Sequence, residues 1–282
     1  MNGFWNHFLV TLRLNCRNIQ AMVFGYFVPL FFLIAFRAFY GGNPPLTKEL
    51  AQVLTISVMG GACFGMPVAL VTERDRGVWR RYRLVPLSTV WFVASTMLAR
   101  FVIVGTSALL QIAVAMILYK MPMPERPVEL FAGFTFVSFA FLGLGLVIAM
   151  VANSAGAVQA LGQIFFLPMI MIGGVGVKLN QLPMWAKHVS AFLPGRYAVE
   201  AMRSCIVAEG AGLTGGYFNL IALTLTGFAT CLAASKMFRW EPDQKLTGST
   251  KLWMVFCLIV WAAVGIAAEY FGYATSVPKT YF

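Results

Sequence analysis

Residues 50–88 read LAQVLTISVMGGACFGMPVALVTERDRGVWRRYRLVPLS, and this stretch holds both signals that decide the fold. Its first part, Leu50 to Thr72, is 23 residues without a charged side chain. A helix needs about 20 apolar residues to cross a hydrocarbon core of about 30 Å, so this run is long enough to span. Its second part crowds Arg74, Arg76, Arg80, Arg81 and Arg83 into the loop that follows. Short cytoplasmic loops collect Lys and Arg, so the pair reads as a membrane helix leading into a cytoplasmic loop.

The whole chain agrees with that reading. Of 282 residues, 60% are hydrophobic and 11% charged, whereas a soluble domain has about 45–50% apolar and about 25% charged residues. A soluble enzyme, a nucleic-acid-binding domain and a disordered tail are excluded. The net charge of +11 therefore asks first which side of a membrane the basic residues occupy. Cys16, Cys63, Cys205, Cys231 and Cys257 show no C-x-x-C spacing, so neither a disulfide framework nor a zinc site is indicated.

Windows of the same kind predict seven spans: Ala21 to Tyr40, Leu50 to Thr72, Phe92 to Tyr119, Leu130 to Ala152, Val158 to Val177, Tyr217 to Phe238 and Leu252 to Phe271. Arg37 and Arg100 fall within spans, near enough to an end to reach an interface by snorkelling. The basic loops place the N-terminus inside and the C-terminus outside. Residues 1–20 form a separate element. Trp5, Phe8, Leu9, Leu12, Cys16 and Ile19 share one helical face, opposite Asn6, Arg13, Arg17 and Gln20, as in an amphipathic helix lying at the cytoplasmic interface.

In the loop at 73–88, Val78, Tyr82 and Val85 repeat at helical spacing beside Trp79, with Arg76, Arg80 and Arg83 on another face. Pro86 stops that helix and Ser88 is placed to cap the next one. Glu73, at the end of a membrane helix, needs a cation against the helix dipole, and Arg76 or Arg80 stands near in sequence. A basic patch on anionic lipid would explain the charge but not the punctuation by Gly77 and Pro86. A stiff basic and aromatic helix suits docking into a groove on a protein partner.

A second constellation follows on the outside. Pro168 is expected to interrupt the fifth span, Gly173 and Gly174 to loosen its end, and Pro183, Trp185 and Pro194 to punctuate short apolar helices over 178–208. These read as broken helices partly re-entering the outer leaflet, serving either packing or an outer gate. Thr106, Ser107 and Gln111 in the third span and Gln159 and Gln163 in the fifth need polar partners, either neighbouring helices or a passing substrate. Gly61 with Gly65 and Gly143 with Gly145 suggest close helix packing.

The Glu73-Arg74-Asp75-Arg76-Gly77 stretch with its later Pro86, and Leu182-Pro183 with Trp185, Pro194 and Arg203, together resemble the permease subunits of the ABC-2 family of ATP-binding-cassette exporters, drug-exporter-like branch. The resemblance implies an all-α integral membrane protein with a six-span permease core of the type V exporter kind over 21–238. It implies that 1–20 is the interfacial connecting helix and that 73–88 holds the coupling helix, with Glu73, Arg76, Gly77, Trp79, Arg80, Tyr82 and Arg83 as coupling residues. A second permease subunit, identical or related, and two cytoplasmic ATPase subunits would be its partners. Two departures stand out: the fifth span ends in Gly173-Gly174 with Lys178 and Asn180, and residues 239–282 add a linker and a seventh span.

The division of labour also follows from the residues. A phosphate-binding loop ends in Gly-Lys-Ser/Thr, and the dipeptide Gly-Lys does not occur in this chain. ATP and Mg²⁺ are then expected on a separate subunit, with no catalytic residue, metal or cofactor in this chain and membrane lipids rather than nucleic acid around it. The expected function is export of a lipophilic or amphipathic substrate, such as a drug, lipid or secondary metabolite, from a bacterial cytoplasmic (inner) membrane. Polysaccharide or glycolipid export is the nearest alternative. An intramembrane protease is disfavoured because His7 and His188 lie outside the spans. An ATP-independent carrier or channel is disfavoured because Arg100 is the one deep ionisable group.

Overall fold

The computed structural model describes residues 2–40, 46–47, 49–79, 88–207, 212–239 and 248–273, and every regular element among them is helical. In chain order these are α1 (Asn2–Arg17), α2 (Ile19–Met22), a π-helical turn (Val23–Phe27), α3 (Val28–Tyr40), α4 (Leu50–Gly60), a second π-helical turn (Gly61–Gly65) and α5 (Met66–Asp75). Then come α6 (Thr89–Tyr119), α7 (Pro127–Val151), α8 (Ala155–Met171), a 3₁₀ turn (Leu179–Gln181), α9 (Met184–Ser190), α10 (Pro194–Ile206), a second 3₁₀ turn (Leu213–Gly216), α11 (Tyr217–Lys236) and α12 (Gly248–Tyr270).

Five of the seven expected spans are helices long and apolar enough to cross a membrane: Leu50–Asp75, Thr89–Tyr119, Pro127–Val151, Tyr217–Lys236 and Leu252–Tyr270. The other two are shorter. Val23–Phe39 covers the first, and Ala155–Met171 covers the fifth, which starts three residues before the expected Val158 and stops six before Val177. Pro168 does not interrupt that helix. It lies in the last turn, where its carbonyl accepts from Ile172 N at 2.8 Å, and the chain leaves the helix only at Gly173 and Gly174. The first turn of α6 follows expectation, with Ser88 Oγ accepting from Trp91 N at 3.4 Å.

The Leu50–Asp75 helix is the axis of the molecule. Its apolar window is wholly buried, against a third of that of Thr89–Tyr119 and 17% of that of Leu252–Tyr270. A helix apolar all round belongs in an interior. Two neighbours approach it closely because they carry glycine at the contact. A Cβ on Gly145 would collide with the Ala62 carbonyl, and one on Gly162 would stand 2.8 Å from the Cys63 carbonyl. Behind them α11 packs along α7, where Gly143 makes room for Thr230 and Cys231. Small residues let backbones approach in this way where lipid provides no hydrophobic drive between helices.

Helix α1 packs along the start of α6 with a face not expected from its apolar moment. His7, Thr11 and Asn15, four residues apart, are buried, whereas Trp5, Leu9 and Leu14 are exposed. Phe8 and Leu12 of the apolar face are half-buried, and the small polar face is turned to protein. Gly145→Val should destabilise the fold by about 1–3 kcal/mol through overpacking. Gly105→Ala, where an added Cβ meets nothing within 4 Å, should leave thermal stability in detergent at or slightly above that of the parent.

Candidate functional site

The end of the axial helix is tied down by its own arginine. Arg74 is buried, and its Nη1 donates to the Ala149 carbonyl at 3.1 Å and its Nη2 to the Ala152 carbonyl at 2.5 Å. Arg239, just past α11, meets the same helix end: its Nη2 donates to the carbonyls of Met150 at 2.6 Å and Ala152 at 3.3 Å and to Asn153 Oδ1 at 3.1 Å. The last carbonyls of a helix have no partner within it, and they carry the negative end of its dipole. Two guanidinium groups therefore close the end of α7. Arg74 is a structural pin rather than part of a solvated basic face.

Gly77 takes φ +70° with open space around it, and its N–H reaches the Arg74 carbonyl at 2.9 Å. This left-handed residue turns the chain back at the helix end. The turn carries Trp79 into the protein. Its ring stacks on Phe238 at 5.1 Å and 8°, meets the edge of Phe92 at 5.2 Å, and is wholly buried. Its indole N–H donates to Glu73 Oε2 at 3.5 Å, and Arg74 lies 5.9 Å over the ring. Phe92 in turn touches His7 of α1 at 4.7 Å, and His7 Nδ1 bonds Ser95 Oγ at 2.7 Å. Four segments distant in sequence, α1, the turn after α5, the start of α6 and the residues just past α11, meet in one aromatic cluster.

Several expectations are corrected here. Trp79 does not lie on an outward docking face. Glu73 is answered by the Trp79 indole and by electrostatic interaction with Arg100, while Arg76 is exposed. Arg100 does not snorkel. It is 2% exposed, and its Nη2 donates to the Gly65 carbonyl at 2.7 Å, beside the second π-helical turn. Arg80, Tyr82 and Arg83 lie outside the described residues.

At the other end, Gln52 on the axial helix is wholly buried, with Nε2 donating to the Gly174 carbonyl at 3.2 Å and Oε1 accepting from Arg203 Nη2 at 3.3 Å. Glu49 pairs with Lys178 at 2.7 Å, and Arg196 with Glu200 at 3.1 Å. Gly174, at φ +77°, turns the chain toward Gln52, and a Cβ on Gly173 would stand 2.6 Å from the Met169 carbonyl. Pro183 precedes α9 and Pro194 opens α10, but Trp185 is 64% exposed and stands apart from this network. Gln52, Glu49, Arg196 and Glu200 were not singled out from sequence. A glutamine within an apolar run and an Arg/Glu pair four apart were the available signals.

The expected path residues do not converge. Gln111 Nε2 donates to Ser57 Oγ and to the Ser107 carbonyl, both at 3.0 Å, and Thr106 Oγ1 bonds Tyr26 OH at 2.6 Å. Both join helices. Gln159 is half-buried and Gln163 exposed on α8. Among the described residues no group of three or more His, Cys, Asp or Glu is placed to hold a metal.

Arg74→Met and Arg239→Met should each cost about 1–3 kcal/mol by leaving helix-end carbonyls unpartnered. Because both arginines share the Ala152 carbonyl, a double-mutant cycle of unfolding in detergent should show coupling rather than additivity. Burial lowers the His7 pKa from 6.5 to about 4. Released His7 takes up a proton before docked His7 does, so the docked state keeps its stability above pH 6.5 and loses about 3 kcal/mol as pH falls toward 4. The thermal midpoint measured across that range should fall with acidification, and His7→Phe should flatten the profile.

A search of curated proteins and a search of solved structures find no match. The family model described as ABC-2 type transporter matches residues 6–207, from α1 through α10. Domains of this family are the non-catalytic transmembrane components of transporters whose ATPase is a separate subunit. With the match covering most of the chain and both ends of the axial helix, the chain belongs to the ABC-2 type transporter family.

Proposed function

We propose that this chain is the membrane-spanning subunit of an ATP-driven exporter that moves a lipophilic or amphipathic molecule out of the cytoplasm. ATP and Mg²⁺ are bound by two separate ATPase subunits, and a second permease subunit completes the path. The chain resides in a bacterial cytoplasmic membrane with α1 on the cytoplasmic face.

The observation that carries this reading is the seating of Trp79. A partner that docks on exposed Arg76 pulls on a ring stacked against Phe238 and Phe92, so displacement passes at once to α11, α6 and, through His7, to α1. The axial helix carries it further. Its 26 residues extend about 39 Å at about 1.5 Å per residue, and at the far end Gln52 holds the Gly174 carbonyl and Arg203. Motion imposed at Glu73 is felt at the outer helices without an intervening loop. Arg100 supports an ATP-driven rather than an ion-coupled process, because its guanidinium is committed to the Gly65 carbonyl instead of standing free as an ion or proton relay. Gln163 and its exposed neighbours Ile164 and Leu167 on α8 offer a surface for the second permease subunit.

Reconstitution with the cassette ATPase that co-purifies with this chain from native membranes tests the proposal. Glu73→Gln, Gly77→Pro and Arg76→Glu should leave insertion and ATP hydrolysis in place while transport per ATP falls about tenfold, within the range by which coupling mutations act. Undiminished coupled transport in all three variants, or transport that persists without ATP and collapses with an ionophore, would overturn it.

A further inference from the structure

Helix α12 lies beyond the family match and is held to the bundle at two places. At its far end Glu269 meets His188 Nδ1 at 2.9 Å, Tyr273 stacks on Phe218 at 4.6 Å, and the Tyr273 carbonyl accepts from Arg196 Nη2 at 2.5 Å. Midway, Trp261 packs on Phe165 at 5.6 Å and Cys257 Sγ donates to the Ala229 carbonyl at 3.5 Å. Along Met254 to Trp261 a cavity of about 170 Å³ separates it from α7, α8 and α11, with walls that include Leu144, Phe165, Thr230, Met254, Leu258 and Trp261.

We propose that this cavity is a binding site for an acyl chain of a bilayer phospholipid, walled on one side by α12. The hydroxyls of Thr226 and Thr230 are turned onto carbonyls of their own helix, so these residues present methyl groups. The Trp261 indole N–H is buried and has no partner among the described residues. One donor does not retain a water, which needs two to four polar partners, and apolar cavities of about 150 Å³ stay dry and accept an apolar guest. A charged or strongly hydrated molecule would find nothing here to replace its water. Leu258 at the edge is 58% exposed on the least buried of the five long apolar helices, which makes the bilayer the source of the guest. Val151, the last residue of α7, is also in the wall, so the chain enters from the leaflet at the Glu73 end. Naming that leaflet cytoplasmic rests on the proposed function; the site does not.

The test uses the full chain in phosphatidylcholine vesicles containing a phosphatidylcholine with a mid-chain diazirine, without nucleotide or ATPase, so that its outcome is independent of the transport assay. Leu110 and Ile117 on α6 are exposed, whereas Leu144 and Thr230 are buried. Illumination should label all four positions. Ala229→Phe, which fills the cavity, should lower labelling of Leu144 and Thr230 about tenfold while Leu110 and Ile117 keep theirs. Leu258→Trp at the mouth should act likewise and stands in if the first variant fails to elute as a single species. Absence of label at Leu144 and Thr230 in the parent, or label there that survives both variants, would overturn the proposal. So would label delivered only by a photoreactive free fatty acid, which would assign the cavity to cargo instead.

Discussion

A helix whose apolar window is wholly enclosed by protein must find partners inside the molecule for the polar atoms it carries there, because neither water nor a second face is open to them. Leu50–Asp75 meets this condition at five levels, with the Arg74 Nε left without a partner among the described residues. Gln52 is answered by Gly174 and Arg203, Ser57 by Gln111, the Gly65 carbonyl by Arg100, Glu73 by Trp79, and Arg74 by the end of α7. Each answering group comes from a different part of the chain. The polar atoms of one helix thereby set the register of the loop after α8, of α10, of α6, of the turn after α5 and of α7.

The middle of the same helix works by absence of side chain. Gly61 to Gly65 form a π-helical turn, and Pro67 removes one backbone donor just beyond it. Gly145 and Gly162 bring two neighbouring backbones against the carbonyls of Ala62 and Cys63, and Arg100 takes that of Gly65. Irregular backbone at membrane depth persists where protein covers it, and here it is covered by close backbones on two sides and a guanidinium on the third.

The arginines show where sequence reasoning reaches and where it stops. Crowding of Arg74, Arg76, Arg80, Arg81 and Arg83 marks a basic loop by count alone, and it reads as a docking face. Yet Arg74, Arg100, Arg203 and Arg239 are buried, each donating to helix carbonyls or an amide oxygen. A guanidinium offers five donors and is weakly hydrated, which suits it to closing helix ends and irregular turns inside a bundle. Nothing local distinguishes Arg74 from Arg76 two residues on. The difference lies in which direction the helix end points relative to Ala149 and Ala152, more than seventy residues away.

What the sequence determined by itself are features whose cause lies within a few residues. Five long apolar helices follow from uncharged runs, the start of α6 from Ser88, the turn at Gly77 from the one residue that takes φ +70° without strain, and the exposure of Trp5 and Leu9 on α1 from its helical period. The tertiary structure alone decided which helix is axial, that Pro168 stays helical, that Trp79 is a core ring shared by four segments, and that α12 walls a cavity. These depend on which carbonyls, rings and small residues meet across distant parts of the chain. Hydropathy ranks Leu50–Asp75 below three of the other four long apolar helices, and only packing marks it as the one whose apolar window is wholly buried.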